Sequence, residues 1–492
     1  MLVQTPRSRI TASSLPALAW RTTGPIAGVV VVTLLLLSPW YGYHRDELYF
    51  RMLGHSPAWG YFDQPPLTPL LARLSTELFG DTITGLRVVP ALCAGLLILI
   101  GAAITRELGG RRNAQTLAAA GLGAGMFPLV AGHTLLTQSA DFVFWTACML
   151  FVLRALLRGD GRWWVAAGAI AGAATFNKHL IVLLITGLAT GLLITVGMAV
   201  KGPRAVFGDR WFWSGAFLAA VIASPNLLYQ AANGWPQLTM AATLSEPVNR
   251  IMFVPMLVAL LSMGAFVIAV VGWLWLRGRQ ETRPLAIAAL VTILLGWASG
   301  GRADYVAGSL IFAFVAGCVP AAAWMDSRAA RRRAAWWGLL GTSVIGIVVA
   351  LPLLPLPALG YSPNEVSRES VGWPRFVAQV AGVHRALPSG TIVLTSNYGE
   401  AGALNRFAPA IPVYSGHNEL WYQGPPPETA RTVVAVGLPP ERLRLRFARC
   451  ESAGVVDHGT GVANEEQGLP ITVCSGPRTS WTTAWPDFRH AS

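Results

Sequence analysis

Charged residues are scarce. They make up 12% of the 492 residues, against about 25% in an ordinary soluble domain. Hydrophobic residues make up 53% and the mean hydropathy is +0.49. The composition excludes a disordered chain, argues against a single soluble globule and fits a polytopic membrane protein. Lysine is nearly absent, with only Lys178 and Lys201, so arginine carries almost all of the net charge of +13. Of the five cysteines, Cys93, Cys148 and Cys318 fall inside apolar runs, and only Cys450 and Cys474 lie outside them. No cysteine spacing suits a metal-thiolate cluster. A P-loop and a Rossmann glycine pattern are also missing, which disfavours nucleotide chemistry on the cytoplasmic side. In a soluble chain the positive charge would suggest nucleic acid. In a membrane protein it asks on which side the arginines sit.

A membrane-crossing helix needs about 20 mostly apolar residues. Runs of that kind are Thr22–Tyr43, Val88–Thr105, Asn113–Ala140, Leu180–Val200, Trp211–Ser245, Ile251–Leu276, Pro284–Gly301, Tyr305–Met325 and Ala334–Asn364. Two shorter runs, Phe142–Leu153 and Trp163–Asn177, flank a basic loop. Together they predict about eleven spans. The first run is long and no cleavage pattern follows it, so it reads as an anchor. One set of loops holds Arg7, Arg9 and Arg21, then Arg106, Arg111 and Arg112, Arg154 to Arg162, Lys201 to Arg210, Arg277 to Arg283, and Arg328 to Arg333. That set reads as cytoplasmic, with the N-terminus inside. The acids among these arginines, Glu107, Asp160, Asp209, Glu281 and Asp326, read most simply as solvent-facing charges.

Two regions then lie outside the membrane part, which covers residues 1–357. The first outer loop, about 44–86, has an amphipathic pattern over Asp46–Gly54 and Leu67–Phe79 that predicts helices lying on the membrane surface. The tail, 358–492, predicts a small α/β domain. Its strands are expected at Thr391–Ser396, Arg431–Val436 and Ile471–Cys474, and its helices at Gly372–Leu387 and Glu441–Cys450. An outer compartment permits a Cys450–Cys474 disulfide, with two free thiols as the alternative.

Ionisable groups at a membrane border are costly and are often functional. The outer acids are Asp46, Glu47, Asp63, Glu77, Asp81, Asp141, Glu246 and Asp304. Adjacent acids such as Asp46-Glu47 can serve as helix-dipole partners alone. Here they are followed by Gly60-Tyr61-Phe62-Asp63-Gln64-Pro65-Pro66-Leu67. The His44–Tyr49 block and the Gly60–Leu67 block resemble the first outer loop of the dolichyl-phosphate-mannose protein mannosyltransferase and aminoarabinose transferase superfamily. So does Leu86–Leu92, and Asp141 is similar to a second outer acid of these enzymes. Asn397–Leu404 with Tyr414–Asn418 resembles the tail of bacterial members.

The resemblance implies a GT-C fold in a bacterial plasma membrane. It implies an inverting transfer of a sugar from a polyprenyl phosphate to a hydroxyl of an envelope acceptor at the outer face. Asp46 matches the base, Glu47 a residue that orients it or the acceptor, and Asp141 the second acid. Lys178 and Arg302 match basic positions that meet the donor phosphate, and the bland reading of each is an interface anchor. Asp63, Gln64, Arg87, His133 and Tyr61 complete the expected substrate-binding set. Gln64 departs from relatives that carry lysine before the Pro-Pro pair. His133 with Asp63 or Glu47 would make a divalent-cation site, but no firm ligand spacing supports one and the metal stays open. Tyr398, Glu400, His417 and Asn418 read equally as site-facing residues or as a domain-core network. Among the aromatics, Trp59, Trp235 and Trp421 are further candidates to stack on a sugar. A transporter or flippase of lipid-linked sugars is the alternative, but the acids cluster at the outer border and no repeat relates the two halves.

Overall fold

The computed structural model describes residues 15–197, 206–245 and 247–491. Arg7, Arg9, Lys201, Arg204 and Glu246 lie outside the described residues. The chain opens with α1 (Trp20–Leu37), α2 (Arg45–Gly54), α3 (Leu67–Phe79) and α4 (Ile83–Glu107). There follow α5 (Arg112–Gly123), α6 (Met126–His133), α7 (Thr137–Arg158), α8 (Arg162–Ala174) and α9 (Ile181–Gly197). Further helices cover Arg210–Ala232, Pro236–Thr243, Pro247–Leu261, Met263–Arg277, Arg283–Ala298, Ala307–Asp326 and Ala329–Ala350.

Helix forms on every apolar run, but several runs are broken. The described residues contain six helices long and apolar enough to cross a membrane, or up to eight if each bent pair is one span. Three further apolar helices, Ile181–Thr195, Met263–Arg277 and Arg283–Ala298, are shorter than that, and other runs are bent. The Asn113–Ala140 run bends by 59° between α5 and α6, where Gly125 caps α6 in an extended conformation. The Ile251–Leu276 run breaks at Ser262, whose hydroxyl accepts from the Ala265 amide at 3.2 Å. The Ala307–Asp326 helix is the most enclosed, with Phe312, Phe314, Val315 and Cys318 fully buried.

At the C-terminal end of α4 Glu107 is buried, not solvent-facing. Arg106, Arg154 and Arg158 converge on it at 3.3, 3.0 and 2.5 Å. A carboxylate there is stable because three guanidiniums replace its water. Asp209 is also not free: it caps the Arg210–Ala232 helix by accepting from the Trp211 amide.

The tail carries five strands: β1 (Ile392–Thr395), β2 (Val413–Ser415), β3 (Thr432–Val436), β4 (Phe447–Val455) and β5 (Pro470–Pro477). Their order is β2-β1-β3-β5-β4. β1 runs parallel to β2 and β3, whereas β5 is antiparallel to β3 and β4. The expected helix over Glu441–Cys450 ends at Arg446. From Phe447 the chain is strand, because Phe447 pairs with Pro477 and Cys450 with Cys474. Cys450 and Cys474 are bonded across that pair of strands.

The two first-loop helices form where expected, but only α3 shows an apolar face. Leu70, Leu74 and Leu78 form an exposed stripe at helical spacing, the pattern of an interfacial helix. α2 does not lie on the surface. Leu48, Tyr49 and Leu53 are fully buried under the tail helix Tyr398–Phe407, in a shared core with Ala401 and Leu404. Gly402 permits the contact, since a Cβ there would stand 2.8 Å from the Leu48 Cβ.

Replacing Cys450 and Cys474 by serine is expected to destabilise the tail by about 3 kcal/mol, the chain-entropy value for a loop of this length. Calorimetry of the purified chain in detergent measures it, and an unchanged transition contradicts it.

Candidate active site

Two helices lie side by side, with Arg45, Leu48 and Arg51 of α2 against Gly399, Gly402 and Asn405 of the tail helix, and each is started by the same device. α2 begins with a capping box in which the His44 Nδ1 accepts from the Asp46 amide and Glu47 accepts from the His44 amide at 2.9 Å. The Tyr398–Phe407 helix begins with a capping box of Asn397 and Glu400. Such boxes satisfy amides that no helical carbonyl reaches. They also fix where the residues of the first turn point. In α2 that residue is Asp46, and in the tail helix it is Tyr398. The Tyr398 hydroxyl donates to Asp46 Oδ1 at 2.8 Å.

The neighbouring acids Asp46 and Glu47 therefore differ in surroundings. The Asp46 side chain is 29% exposed. Burial alone would raise its carboxyl, but His44, Arg45, the Tyr398 hydroxyl and Arg302 together hold it below the ordinary carboxylate range. Burial lowers the pKa of His44, against the opposing pull of Asp46 and Glu47. Glu47 is wholly buried. Its oxygens accept from Arg87 Nε at 2.9 Å and Arg87 Nη2 at 2.7 Å. They also accept from the His44 and Leu135 amides. Arg87 in turn donates to the Ser38 and Gly42 carbonyls and lies 3.1 Å from His133 Nε2. Every donor of Arg87 and both oxygens of Glu47 are used within the fold. Glu47, Arg87 and His133 form one buried cluster, set behind Asp46.

A second acid faces the same space. Tyr49 donates to Asp63 Oδ1 at 3.0 Å, and Asn418 Nδ2 lies 3.5 Å from Asp63 Oδ2. Burial pushes the Asp63 carboxyl up to about 7. Glu419, reached by the Phe62 amide at 2.7 Å, is raised by burial to about 7 as well. Gln64 is buried with its Nε2 lacking a partner among the described residues.

Cations border Asp46 on the span side. Lys178, between α8 and α9, and Arg302 both lie within electrostatic reach of Asp46. The Lys178 ammonium sits over the Tyr305 ring at 4.4 Å, and burial lowers its pKa. Arg302 Nε donates to Asp304 Oδ1 at 3.0 Å while the side chain stays 51% exposed. Asp304 also accepts from Gln138 at 2.7 Å. Asp141 is buried near Lys178, and its Oδ1 has no partner among the described residues.

The structure thus brings Asp46, Asp63, Lys178 and Arg302 to one end of the bundle and sets Asp141 behind Lys178. Tyr61 does not reach the open space. It is 1% exposed, and its hydroxyl donates to the Leu53 and Ser56 carbonyls. Trp59 and Trp235 are exposed, while Trp421 is partly buried and exchanges indole bonds with Trp485. Glu77 and Asp81 are paired with Arg73 and Arg51. Glu400 serves its capping box, whereas Tyr398 and Asn418 reach the acids. Tyr49, Glu419 and Gln138 were not singled out from the sequence, since nothing local distinguishes a tyrosine that meets an acid from one that fills a core. No group of three or more His, Cys, Asp or Glu among the described residues is placed to hold a metal ion. The arrangement proposed for His133 and Glu47 does not fit a cation, because Arg87 occupies that place.

Residues 63–229 match the sequence model of the dolichyl-phosphate-mannose-protein mannosyltransferase family. The matched stretch includes Asp63, Arg87, Asp141 and Lys178, begins after Asp46 and Glu47, and ends before Arg302. No curated protein matches the sequence. Among solved structures, ArnT from Cupriavidus metallidurans in the apo state is similar with a TM-score of 0.61 at 15% identity, over 92% of this chain and 97% of that one. The same protein bound to undecaprenyl phosphate gives 0.60 at 15% identity, over 91% and 97%. The fold is that of the GT-C glycosyltransferases, as the first-loop resemblance implies.

Replacing Arg87 by methionine leaves the Glu47 charge buried and unpaired, and is expected to cost roughly 3–5 kcal/mol. A thermal unfolding series in detergent checks this. A melting temperature equal to that of the parent chain contradicts the assignment.

Proposed function

We propose that this protein is an integral-membrane, inverting glycosyltransferase. It moves a sugar from a polyprenyl phosphate to a hydroxyl of a cell-envelope acceptor at the outer face. The observation that carries the reading is a partly exposed carboxylate, Asp46, with two cations, Lys178 and Arg302, within electrostatic reach. The binding of undecaprenyl phosphate by ArnT supports a lipid-phosphate donor. The outer location rests on the arginine bias of the loops, and the about eleven spans on the apolar runs.

In this mechanism the acceptor oxygen attacks the anomeric carbon from the face opposite the phosphate. The new C–O bond forms as the bond to the phosphate oxygen breaks, and that oxygen keeps the electron pair. The acceptor proton passes to Asp46, whose low pKa keeps it ionised and ready. Lys178 and Arg302 meet the charge that develops on the leaving phosphate, with the Gln64 amide as a neutral third donor. Such preorganised charge is commonly the largest catalytic contribution. Asp63, Asp141 and Asp304 shape the site around these groups, and Glu47, Arg87 and His133 hold α2 in position. The flippase reading gains nothing from the tail, which reaches Asp46 itself.

Asp46→Asn is expected to leave folding intact and to lower transfer by about 10³-fold or more, since general base catalysis alone contributes about 10²–10⁴-fold. Deleting the gene is expected to make one polyprenyl-phosphate sugar accumulate, identified by mass spectrometry. Asp46→Asn should fail to clear that lipid when returned to the deletion strain. Full clearance by this variant would sink Asp46 as the base, and the absence of any accumulating lipid would sink the reaction.

A further inference from the structure

The soluble tail is usually the part of such a chain set aside as a separate domain. In this chain it touches the proposed base. We propose that Tyr398 is a positioning residue for Asp46, so that the tail domain forms part of the catalytic apparatus. This inference rests on the reading of Asp46 as the base and deepens it.

The geometry is specific. The Tyr398 hydroxyl donates to Asp46 Oδ1 at 2.8 Å. His44 Nδ1 stands 3.8 Å from the other oxygen, Oδ2. One carboxylate oxygen is thus engaged by a phenol and the other is left to take a proton. The phenol is itself held rigidly. Its ring stacks on Tyr49 at 4.5 Å and on His417 at 4.8 Å, and His417 stacks on His490 at 4.7 Å. The Tyr398 amide donates to His417 Nδ1 at 3.2 Å. Burial, with His490 and Arg45 adding to it, lowers His417 to about 3, so that nitrogen remains an acceptor at neutral pH. Burial and Asp46 raise Tyr398 well above the ordinary phenol range, so the hydroxyl keeps its proton and always donates. The tail also grips the residue next to the base, since Arg45 pairs with Glu465 and lies over the Tyr398 ring. A phenol held between two rings loses little further freedom in holding a carboxylate plane, which is what positioning requires.

The pH response discriminates positioning from mere packing. The groups that face Asp46 are His44 and Arg45 on its own helix, Tyr398 from the tail, and Arg302, Lys178, Tyr305 and Asp63 from the elements around it. Tyr398→Phe keeps the ring stack and removes one hydrogen bond that favours the charged form. The Asp46 pKa should therefore rise. Carbodiimides react with protonated carboxyl groups, so labelling of Asp46 can be followed against pH by peptide mass spectrometry on the full chain in detergent. In Tyr398→Phe the labelling midpoint is expected to move up by roughly one pH unit, a tenfold change in proton affinity. In the deletion strain the same variant is expected to clear the accumulated lipid about tenfold more slowly, with an unchanged melting temperature. A midpoint equal to that of the parent chain overturns the inference. The two readings fail separately: full clearance by Asp46→Asn removes the base but leaves the labelling shift standing, whereas an inert Asp46→Asn with an unshifted Tyr398→Phe removes only the role of Tyr398.

Discussion

The outer half of this protein depends on one buried ion pair, Glu47 with Arg87. Burying two charges is expensive, and the cost is offset only when every remaining donor and acceptor finds a partner. Here they do. The guanidinium reaches the end of α1 through Ser38, the α1–α2 link through Gly42, and α2 through Glu47, while its own backbone belongs to α4. The carboxylate adds the Leu135 amide beyond α6. Five segments are thereby referred to one point, and α2 is held at a defined angle. Asp46, one residue before Glu47, inherits that angle.

The two adjacent acids divide the work by burial. Glu47 is enclosed and fully bonded, so it sets structure. Asp46 sits one position away on the helix, where the wall opens, and keeps a carboxylate oxygen for chemistry. The same logic recurs at the C-terminal end of α4, where Glu107 gathers three arginines and ties α4 to α7. The charge at that end is therefore partly architectural. The scarcity of charge noted at the outset has a structural counterpart: Glu47, Arg87 and Glu107, all buried, hold the fold together at two ends of the bundle.

Much of the fold was legible from the chain. Apolar runs mark the helices, and the amphipathic patterns of Asp46–Gly54 and Leu67–Phe79 locate α2 and α3. Breaks were not legible, because one serine at position 262 looks no different from a serine inside a span until its hydroxyl takes an amide. In the tail, β2 is three residues long, too short to show alternation, and β4 follows a helix-like stretch with no turn signal between them. Of the candidate site, Asp46, Asp63, Lys178 and Arg302 could be named from their residue type and their place at span borders. The separation of Glu47 from Asp46 could not, since burial is a property of neighbours. Nor could the contact of Tyr398 with Asp46, which joins residues 352 positions apart and leaves no periodicity in either segment.

That separation also has a consequence in time. A ribosome adds about 5–20 residues each second, so roughly 20–70 s pass between the synthesis of Asp46 and that of Tyr398. Throughout that interval α2 can cap itself and pair with Arg87, but the carboxylate in its first turn has no phenol beside it. The nascent membrane part is thus a protein with its scaffold in place and Asp46 unaligned. Alignment arrives as a single late event, when the tail helix settles on the face that Gly402 leaves open.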